Sequence, residues 1–169
     1  MSNVRIAGFG EALEDHGVSW ARTDIEGFRS TLVDALVNPA VGVPLGYEGV
    51  SLDDAPVTVD PTPAELRAAT TGVTPARLGV ATYGSFLIDS DAKGSEPVSL
   101  YPERHVAVVR ESDLVADLPA ALDELGDAYA ENPASAVFAT GPSATGDMGA
   151  LVEGVHGPKH VHAVVLENR

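Results

Sequence analysis

The densest group of chemically useful residues lies between Phe138 and Asp147, where the sequence reads Phe-Ala-Thr-Gly-Pro-Ser-Ala-Thr-Gly-Asp. A short apolar run, typical of a buried strand, ends there at a Gly-Pro turn. We expect a helix near residues 147–152, so that free backbone N–H groups and the positive end of a helix dipole face one place and attract an anion. Alternatively, Ser143 or Thr145 only caps that helix, and Asp147 lies in its first turn.

The second group is a cluster of histidines near the C-terminus. Three of the five histidines occupy positions 156, 160 and 162. If residues 161–166 form a strand, His160 and His162 share one face, whereas His156 precedes a Gly-Pro turn, so the spacing does not ensure that all three reach one metal ion. We therefore assign no metal site, and expect these imidazoles to donate to a backbone carbonyl or to line a pocket.

The charge of the chain excludes some classes of partner. Its 169 residues include 25 Asp and Glu against 10 Lys and Arg, for a formal net charge of −15. A chain this acidic repels nucleic acid and anionic lipid. The acidity is either a docking face for a basic partner or a halophilic adaptation that keeps the protein hydrated in a high-salt cytoplasm. We favour the second explanation, because the acidic residues are spread along the chain and lysine is scarce.

Cysteine usage and hydropathy narrow the possible chemistry and location. The chain has no cysteine, which removes disulfides, thiolate zinc sites, a cysteine nucleophile and a cysteine-held iron–sulfur cluster. We expect this chain to hold no cofactor. No apolar run approaches the roughly 20 residues of a membrane-spanning helix. Because the first residues do not resemble a secretory signal either, we predict a cytoplasmic protein.

The elements that position these residues indicate a single α/β domain over residues 1–169. Short β-branched runs without a polar face are typical of parallel strands covered on both sides. A strand, a helix and a strand between residues 105 and 139 predict one right-handed crossover. We expect residues 1–18 to be mobile or loosely attached. The predicted helices cover residues 19 or 23 to 37, 63–69 and 113–129. The predicted extended segments are 57–59, two pieces within 76–88, 105–109, 134–139 and 161–166.

The sequence resembles the LUD domain family, the family of lactate-utilization protein C. The resemblance rests on Gly-Pro-Ser-Ala-Thr-Gly-Asp at 141–147 and on Leu-Val-Glu-Gly-Val-His-Gly-Pro-Lys-His-Val-His-Ala-Val-Val-Leu at 151–166. Upstream, residues 72–85 resemble that family's stretch around Ala-Asp-Thr-Gly-Thr, and residues 100–106 resemble its segment ending in Pro-x-x-His-Val. The resemblance therefore runs over residues 72–166. The family's Asp-Thr is replaced by Thr82-Tyr83, which puts shared polar chemistry at position 82 in doubt.

The resemblance implies a fold and a function. It implies an open, mostly parallel sheet flanked by helices, similar to the glucosamine-6-phosphate deaminase, ribose-5-phosphate isomerase and CoA-transferase-like group. It implies an accessory, ligand-binding component of a lactate-utilization system that oxidises L-lactate to pyruvate beside iron–sulfur oxidoreductase subunits. It implies no catalytic residue for this component, and homo-oligomerisation stays open.

The predicted ligand site lies beyond the carboxyl ends of the strands, where open α/β sheets bind ligands. We expect N–H groups around residues 143–145 to hold a carboxylate or phosphate, and His105 or His156 to orient it. The predicted ligand-binding residues are Gly84, Ser85, His105, Gly141, Ser143, Ala144, Thr145, Asp147, His156 and Gly157.

Two other functions stay open. The chain could be a small transferase or isomerase acting on an acyl or phosphorylated substrate. Glu103, Asp147 or Glu153 would then act as nucleophile or base. It could also be a structural partner with no pocket, which an exposed apolar patch of several hundred Å² beside an empty crevice would favour.

Overall fold

A computed structural model describes residues 2–131, 134–147 and 150–167 of the chain, and for residues 2–4, 131, 145–147, 150 and 151 the backbone alone. Over these residues the chain forms a six-stranded sheet, a four-stranded sheet and a two-stranded hairpin. The strands are β1 (Ser19–Thr23), β2 (Ala40–Gly42), β3 (Thr58–Val59), β4 (Thr71–Pro75), β5 (Leu78–Val80), β6 (Ser85–Asp89), β7 (Arg104–Arg110), β8 (Leu114–Val115), β9 (Ala136–Thr140), β10 (Ala144–Asp147), β11 (Ala150–Glu153) and β12 (His160–Leu166).

Helices flank the sheets, and all strand pairs of the larger sheet are parallel. Its strand order is β1-β12-β7-β4-β2-β3. The smaller sheet has the order β8-β5-β6-β9, and β10 pairs with β11 as an antiparallel hairpin. The predicted α/β class with an open, mostly parallel sheet is confirmed. The helices are α1 (Ser2–Asp15), α2 (Phe28–Ala35), α3 (Pro63–Ala68), α4 (Ser95–Leu100) and α5 (Leu118–Glu131).

The two central strands, β7 and β12, bury side chains on both faces. In β7, Ala107 and Val109 pack into the cluster formed with α1, whereas Val106 and Val108 pack into the cluster formed with α2. Since successive side chains of a strand point to opposite faces, a strand covered on both sides is apolar throughout. The predicted strands at 105–109 and 161–166 are therefore confirmed.

The N-terminal segment packs onto the core from Ile6 to Val18, so the expectation that it is loosely attached was wrong over these positions. Helix α1 buries Ile6, Phe9 and Leu13. Phe9 meets Phe86 edge to face, with ring centroids 5.5 Å apart. The turn at Gly84 also packs on this helix. Its φ is +58°, and a Cβ there would lie 2.9 Å from the backbone of residues 12 and 13.

Two predicted helices begin later than expected. Residues 19–23 form β1, which pairs in parallel with β12, so the first predicted helix is wrong over these positions. The chain then turns at Asp24, whose carboxylate accepts the Gly27 N–H at 2.8 Å, and α2 follows. The helix predicted over 113–129 begins only at Leu118, because Leu114 and Val115 form β8 and pair with β5.

The region after β7 is not the predicted crossover. Strand β9 belongs to the smaller sheet, where it pairs antiparallel with β6 and is only partly buried. The strand predicted at 134–139 therefore exists, but residues 105–139 do not form one strand–helix–strand unit of a single sheet. The helix predicted near 147–152 is also wrong, because β10 and β11 form a hairpin there.

The short helix α3 is confirmed, and its N-terminus carries a capping box. The Thr62 hydroxyl accepts the Glu65 N–H at 3.3 Å, and a Glu65 carboxylate oxygen accepts the Thr62 N–H at 2.8 Å. The sequence predicted this helix as far as residue 69, but it ends at Ala68.

We expect Thr62→Ala to lower the free energy of unfolding by about 1 kcal/mol, because it removes the hydroxyl that caps α3. Thr62→Ser keeps an acceptor at that position and is the matched control. Urea unfolding in a fixed KCl concentration measures both variants. Equal losses in the two variants would contradict the capping role.

Candidate functional site

A wide cleft lies between the hairpin β10–β11 and the turn that follows α1. We call it the hairpin cleft; its volume is about 670 Å³. Among the predicted site residues, the structure brings five to its walls: Gly141, Ser143, Ala144, His156 and Gly157.

Three predicted site residues do not line the hairpin cleft. Gly84 lies against α1, as described above. The Ser85 hydroxyl is 2.6 Å from that of Thr140, which does line the cleft. Ser85 therefore contacts a lining residue without lining the cleft itself. His105 is 1% exposed and lies inside the larger sheet. The backbones of Thr145 and Asp147 belong to β10, and their side chains lie outside the described residues.

A hydrogen bond to Thr74 helps to hold His105 in the core. Its Nε2 lies 2.9 Å from Oγ1 of Thr74, which is also fully buried. Burial lowers the pKa of His105 from its ordinary 6.5 to about 4. The imidazole is therefore neutral at physiological pH, and it does not reach a ligand in the hairpin cleft.

The backbone at Ser143 does not offer the free amide that we expected. Its N–H donates to the Pro158 carbonyl at 2.8 Å, and its own carbonyl accepts the Gly154 N–H at 2.9 Å. Its hydroxyl accepts the His156 N–H at 3.3 Å. Because β9 leads into strand β10, the expected helix N-terminus does not lie at these residues. Ser143 therefore fastens the hairpin to the segment that leads into β12, and the predicted mechanism of anion binding is wrong at this residue.

The hairpin cleft also lies at the end of the larger sheet opposite to the predicted one. Asp15 and His16 precede β1, Leu100 precedes β7, and His156 and Gly157 precede β12. All three strands are parallel, so these positions mark their amino ends. The predicted residues that line this cleft therefore lie at the amino ends of these strands, and not at the carboxyl ends where we expected them.

The titratable side chains of the hairpin cleft are two carboxylates and two imidazoles. Asp15, His16, Glu153 and His156 are all exposed. No Lys or Arg lines the cleft among the described residues. The lining thus carries two carboxylates and no charge from Lys or Arg in the described residues, so electrostatics favours a neutral or cationic group there over an anion.

Sequence reasoning missed Asp15 and His16, because it treated the N-terminal segment as loosely attached. A signal was present: Ile6, Phe9 and Leu13 recur at spacings of three and four, which is typical of one helix face. Gly141 lies where the wall of the cleft contacts His16. Its φ is +65°, and a Cβ there would lie 3.0 Å from the His16 Cβ. The glycine thus lets the wall of the cleft approach the chain after α1.

The carboxylates proposed for an enzymatic reaction are exposed where the structure describes them. Glu103 forms an ion pair with Lys159 at 2.8 Å, and the Glu103 side chain is 63% exposed. Glu153 lines the hairpin cleft at an exposed position. Neither lies in an enclosed pocket, which a nucleophile or base generally requires.

The histidine cluster is dispersed in the structure. His162 Nδ1 lies 2.8 Å from the Ser19 hydroxyl on the neighbouring strand, whereas His156 lines the hairpin cleft. Within residues 2–131, 134–147 and 150–167, no three His, Asp or Glu side chains gather closely enough to hold a metal ion. None of the helices described is long and apolar enough to span a membrane.

The parallel sheet, its flanking helices and the clefts at its edges define an open α/β protein. The family model of the LUD domain matches residues 44–166, more than half of the chain. The chain therefore belongs to the LUD domain family, and the resemblance inferred from residues 72–166 is confirmed.

The chain is similar to several curated proteins of that kind. It is 28% identical to "Lactate utilization protein C" of Deinococcus radiodurans, over 94% of this chain and 77% of that protein. It is 31% identical to "Lactate utilization protein C 1" of Bacillus mycoides, over 61% of this chain and 46% of that protein. The match therefore spans about half the length of the Bacillus relative.

A solved structure shows the same fold. The crystal structure of a DUF162 family protein from Deinococcus radiodurans superposes with a TM-score of 0.77 over 98% of both chains. The two sequences are 21% identical, so this likeness concerns the fold alone.

Proposed function

We propose that this chain is an accessory component of a lactate-utilization system. The observation that supports it best is the relative named lactate utilization protein C, which aligns over 94% of this chain. The absence of cysteine from the sequence fits a division of labour in which partner subunits hold the iron–sulfur centres.

In this proposal the hairpin cleft is the binding site of the component. Its volume suits a small molecule or an inserted side chain, and its walls come from segments far apart in the sequence. The exposed carboxylates and imidazoles can accept or donate hydrogen bonds without being desolvated, which suits binding better than acid–base catalysis. These features favour a binding role over a small transferase or isomerase.

The test is growth of the native host on lactate. We expect deletion of the gene to abolish growth on lactate and to leave growth on pyruvate unchanged, and we expect the intact gene to restore growth on lactate. Unimpaired growth and lactate-dependent oxygen uptake after the deletion would contradict the proposal. Isolation of an iron–sulfur oxidoreductase with the tagged chain would support the predicted partner.

A blocking variant tests the role of the cleft. Ala144 lines the cleft and is exposed, so the indole of Ala144→Trp can occupy the cleft without disturbing the core. We expect Ala144→Trp to restore less than about one tenth of lactate-dependent oxygen uptake, the loss that removal of an essential contact produces. Ala130→Trp, at a position on α5 that is also exposed, is the matched control and should restore full uptake. Equal activity of the two variants would exclude the hairpin cleft.

A further inference from the structure

The carboxyl edge of the larger sheet holds a second crevice, which the proposed function does not use. It has a volume of about 300 Å³. Leu45 and Tyr47 follow β2, Ala76 and Arg77 follow β4, and Arg110 ends β7. We call it the carboxyl-edge crevice.

The crevice lies where the connections of two neighbouring strands diverge. Strands β2 and β4 are adjacent. From β2 the chain continues to β3 at the outer edge of the sheet, whereas from β4 it continues to β7 on the other side. In open α/β sheets, ligands bind outside the carboxyl ends of the strands at such a switch point. The hairpin cleft, at the amino ends, does not meet this rule.

The crevice brings together basic residues that are scarce in this chain. It is lined by Arg77, Lys93 and Arg110, three of the ten Lys and Arg residues in a chain of net charge −15. Three carboxylates, of Asp89, Asp91 and Asp113, line it as well. The lining is therefore neutral in sum within a strongly acidic protein, which makes it a place where one negative charge meets little repulsion.

The two guanidinium groups are fixed in place and keep donors free. Arg77 Nε donates to both carboxylate oxygens of Asp89, at 2.8 and 3.0 Å. Arg110 donates from Nε and Nη2 to Asp113. The Arg77 Nη atoms and the Arg110 Nη1 make no hydrogen bond with the described residues. Such preoriented, planar donors match a carboxylate.

The floor and the third cation complete the crevice. The Tyr47 hydroxyl lies 2.9 Å from the carbonyl oxygen of Ala76 and 3.1 Å from that of Val108, so it ties β4 to β7. The Arg110 guanidinium carbon lies 5.1 Å from the centroid of the Tyr47 ring. The Lys93 ammonium is exposed and forms no ion pair within the described part of the chain, so it can turn toward a ligand.

We propose that the carboxyl-edge crevice binds a small monocarboxylate, with Arg77, Lys93 and Arg110 as its donors. A monocarboxylate adds one negative charge to a neutral lining. Phosphate adds up to two negative charges, so the acidic chain repels it more strongly. This assignment does not depend on a role in lactate utilization, so either proposal can fail while the other stands.

Titration calorimetry with lactate, pyruvate, acetate and inorganic phosphate, at constant KCl concentration, tests the assignment. The two lysines of the chain provide a matched pair of variants. We expect Lys93→Gln to weaken monocarboxylate binding by about tenfold and Arg110→Gln by at least as much, as for lost charge-assisted hydrogen bonds. Lys159→Gln, which makes the same charge change at the other end of the sheet, should leave the affinity within about twofold.

Backbone amide shifts in NMR spectra locate the bound probe. Shifts at residues 76, 91 and 95 on adding lactate support the crevice, whereas shifts confined to residues 143 and 156 place the ligand in the hairpin cleft and overturn the assignment. It is also overturned if no monocarboxylate binds, if phosphate binds more tightly, or if Lys93→Gln and Lys159→Gln weaken binding equally. The Lys93 side chain is exposed and makes no ion pair with the residues that the structure describes, so its variant remains informative even if Arg110→Gln does not fold.

Discussion

Phe9→Ala should lower the free energy of unfolding by about 3–5 kcal/mol, the usual cost of emptying a phenylalanine site in a well-packed core. The Phe9 side chain is 0% exposed, and its ring meets that of Phe86 with centroids 5.5 Å apart. It belongs to the cluster that joins α1 to one face of the larger sheet. Urea unfolding at a fixed KCl concentration measures the loss.

The matched control is Phe138→Ala, which removes the same side chain from a position that is 38% exposed. We expect it to cost less than about 1 kcal/mol, as for other surface substitutions. The tryptophan gives an independent readout of the helix, because Trp20 covers Gly10 of α1 and its Nε1 donates to Glu14. Equal stability of the two variants, with unchanged tryptophan fluorescence, would mean that α1 is not docked on the sheet.

The elements that the sequence predicted correctly are those whose pattern is local. Strands β7 and β12 are apolar on both faces, and α3 has a proline at its start and a capping box, so each carries its own signal. Strand β1 does not. It pairs with β12, about 140 residues further along the chain, and only that long-range pairing distinguishes it from the start of a helix.

The hairpin β10–β11 was missed for a related reason. Small and hydroxylated residues around 143–147 fit a helix N-terminus as well as a turn. The deciding contacts come from outside the segment, since the Ser143 N–H donates to Pro158 and a Gly154 N–H donates back to Ser143. Convergence of Gly141, Ser143 and His156 could be predicted, because they flank one hairpin. The hydrogen bonds that occupy the backbone N–H and carbonyl of Ser143 could not be predicted.

The convergence of the residues of the carboxyl-edge crevice, in contrast, could not be predicted from the sequence. Its basic residues at 77, 93 and 110 form no motif, because they follow different elements and no fixed spacing joins them. The rule that ligands bind beyond the carboxyl ends of the strands at a switch point could not be applied until the strand order was known. The order β7-β4-β2 brings these residues together.

The buried imidazole of His105 should make the protein lose stability as the pH falls from about 6.5 to about 4. Burial lowers the pKa of His105 in the folded state to about 4, against the ordinary 6.5 expected in the unfolded chain. Between these values the unfolded state binds a proton that the folded state does not. Lowering the pH therefore favours unfolding, by about 1.4 kcal/mol per pH unit and about 3 kcal/mol over the whole interval.

The double variant Thr74→Val/His105→Leu isolates this contribution. It replaces both partners of the buried hydrogen bond by apolar groups, which avoids leaving the Thr74 hydroxyl without a partner. The carboxylates titrate in both proteins, so they cancel in the difference. At pH 4.5 we expect the wild-type protein to have lost about 2–3 kcal/mol more than the double variant, relative to pH 7.5.

Urea unfolding at several pH values, in the same KCl concentration, gives the two curves. His160→Gln is the control, because His160 is exposed, and it should follow the wild-type curve. If the double variant also follows that curve, His105 binds a proton equally in both states, and the imidazole is then solvated rather than enclosed. The buried imidazole is the source if the difference in free energy of unfolding between the two proteins grows as the pH falls below 6.5 and levels off near 4. These two limits are the pKa values of His105 in the unfolded and the folded chain.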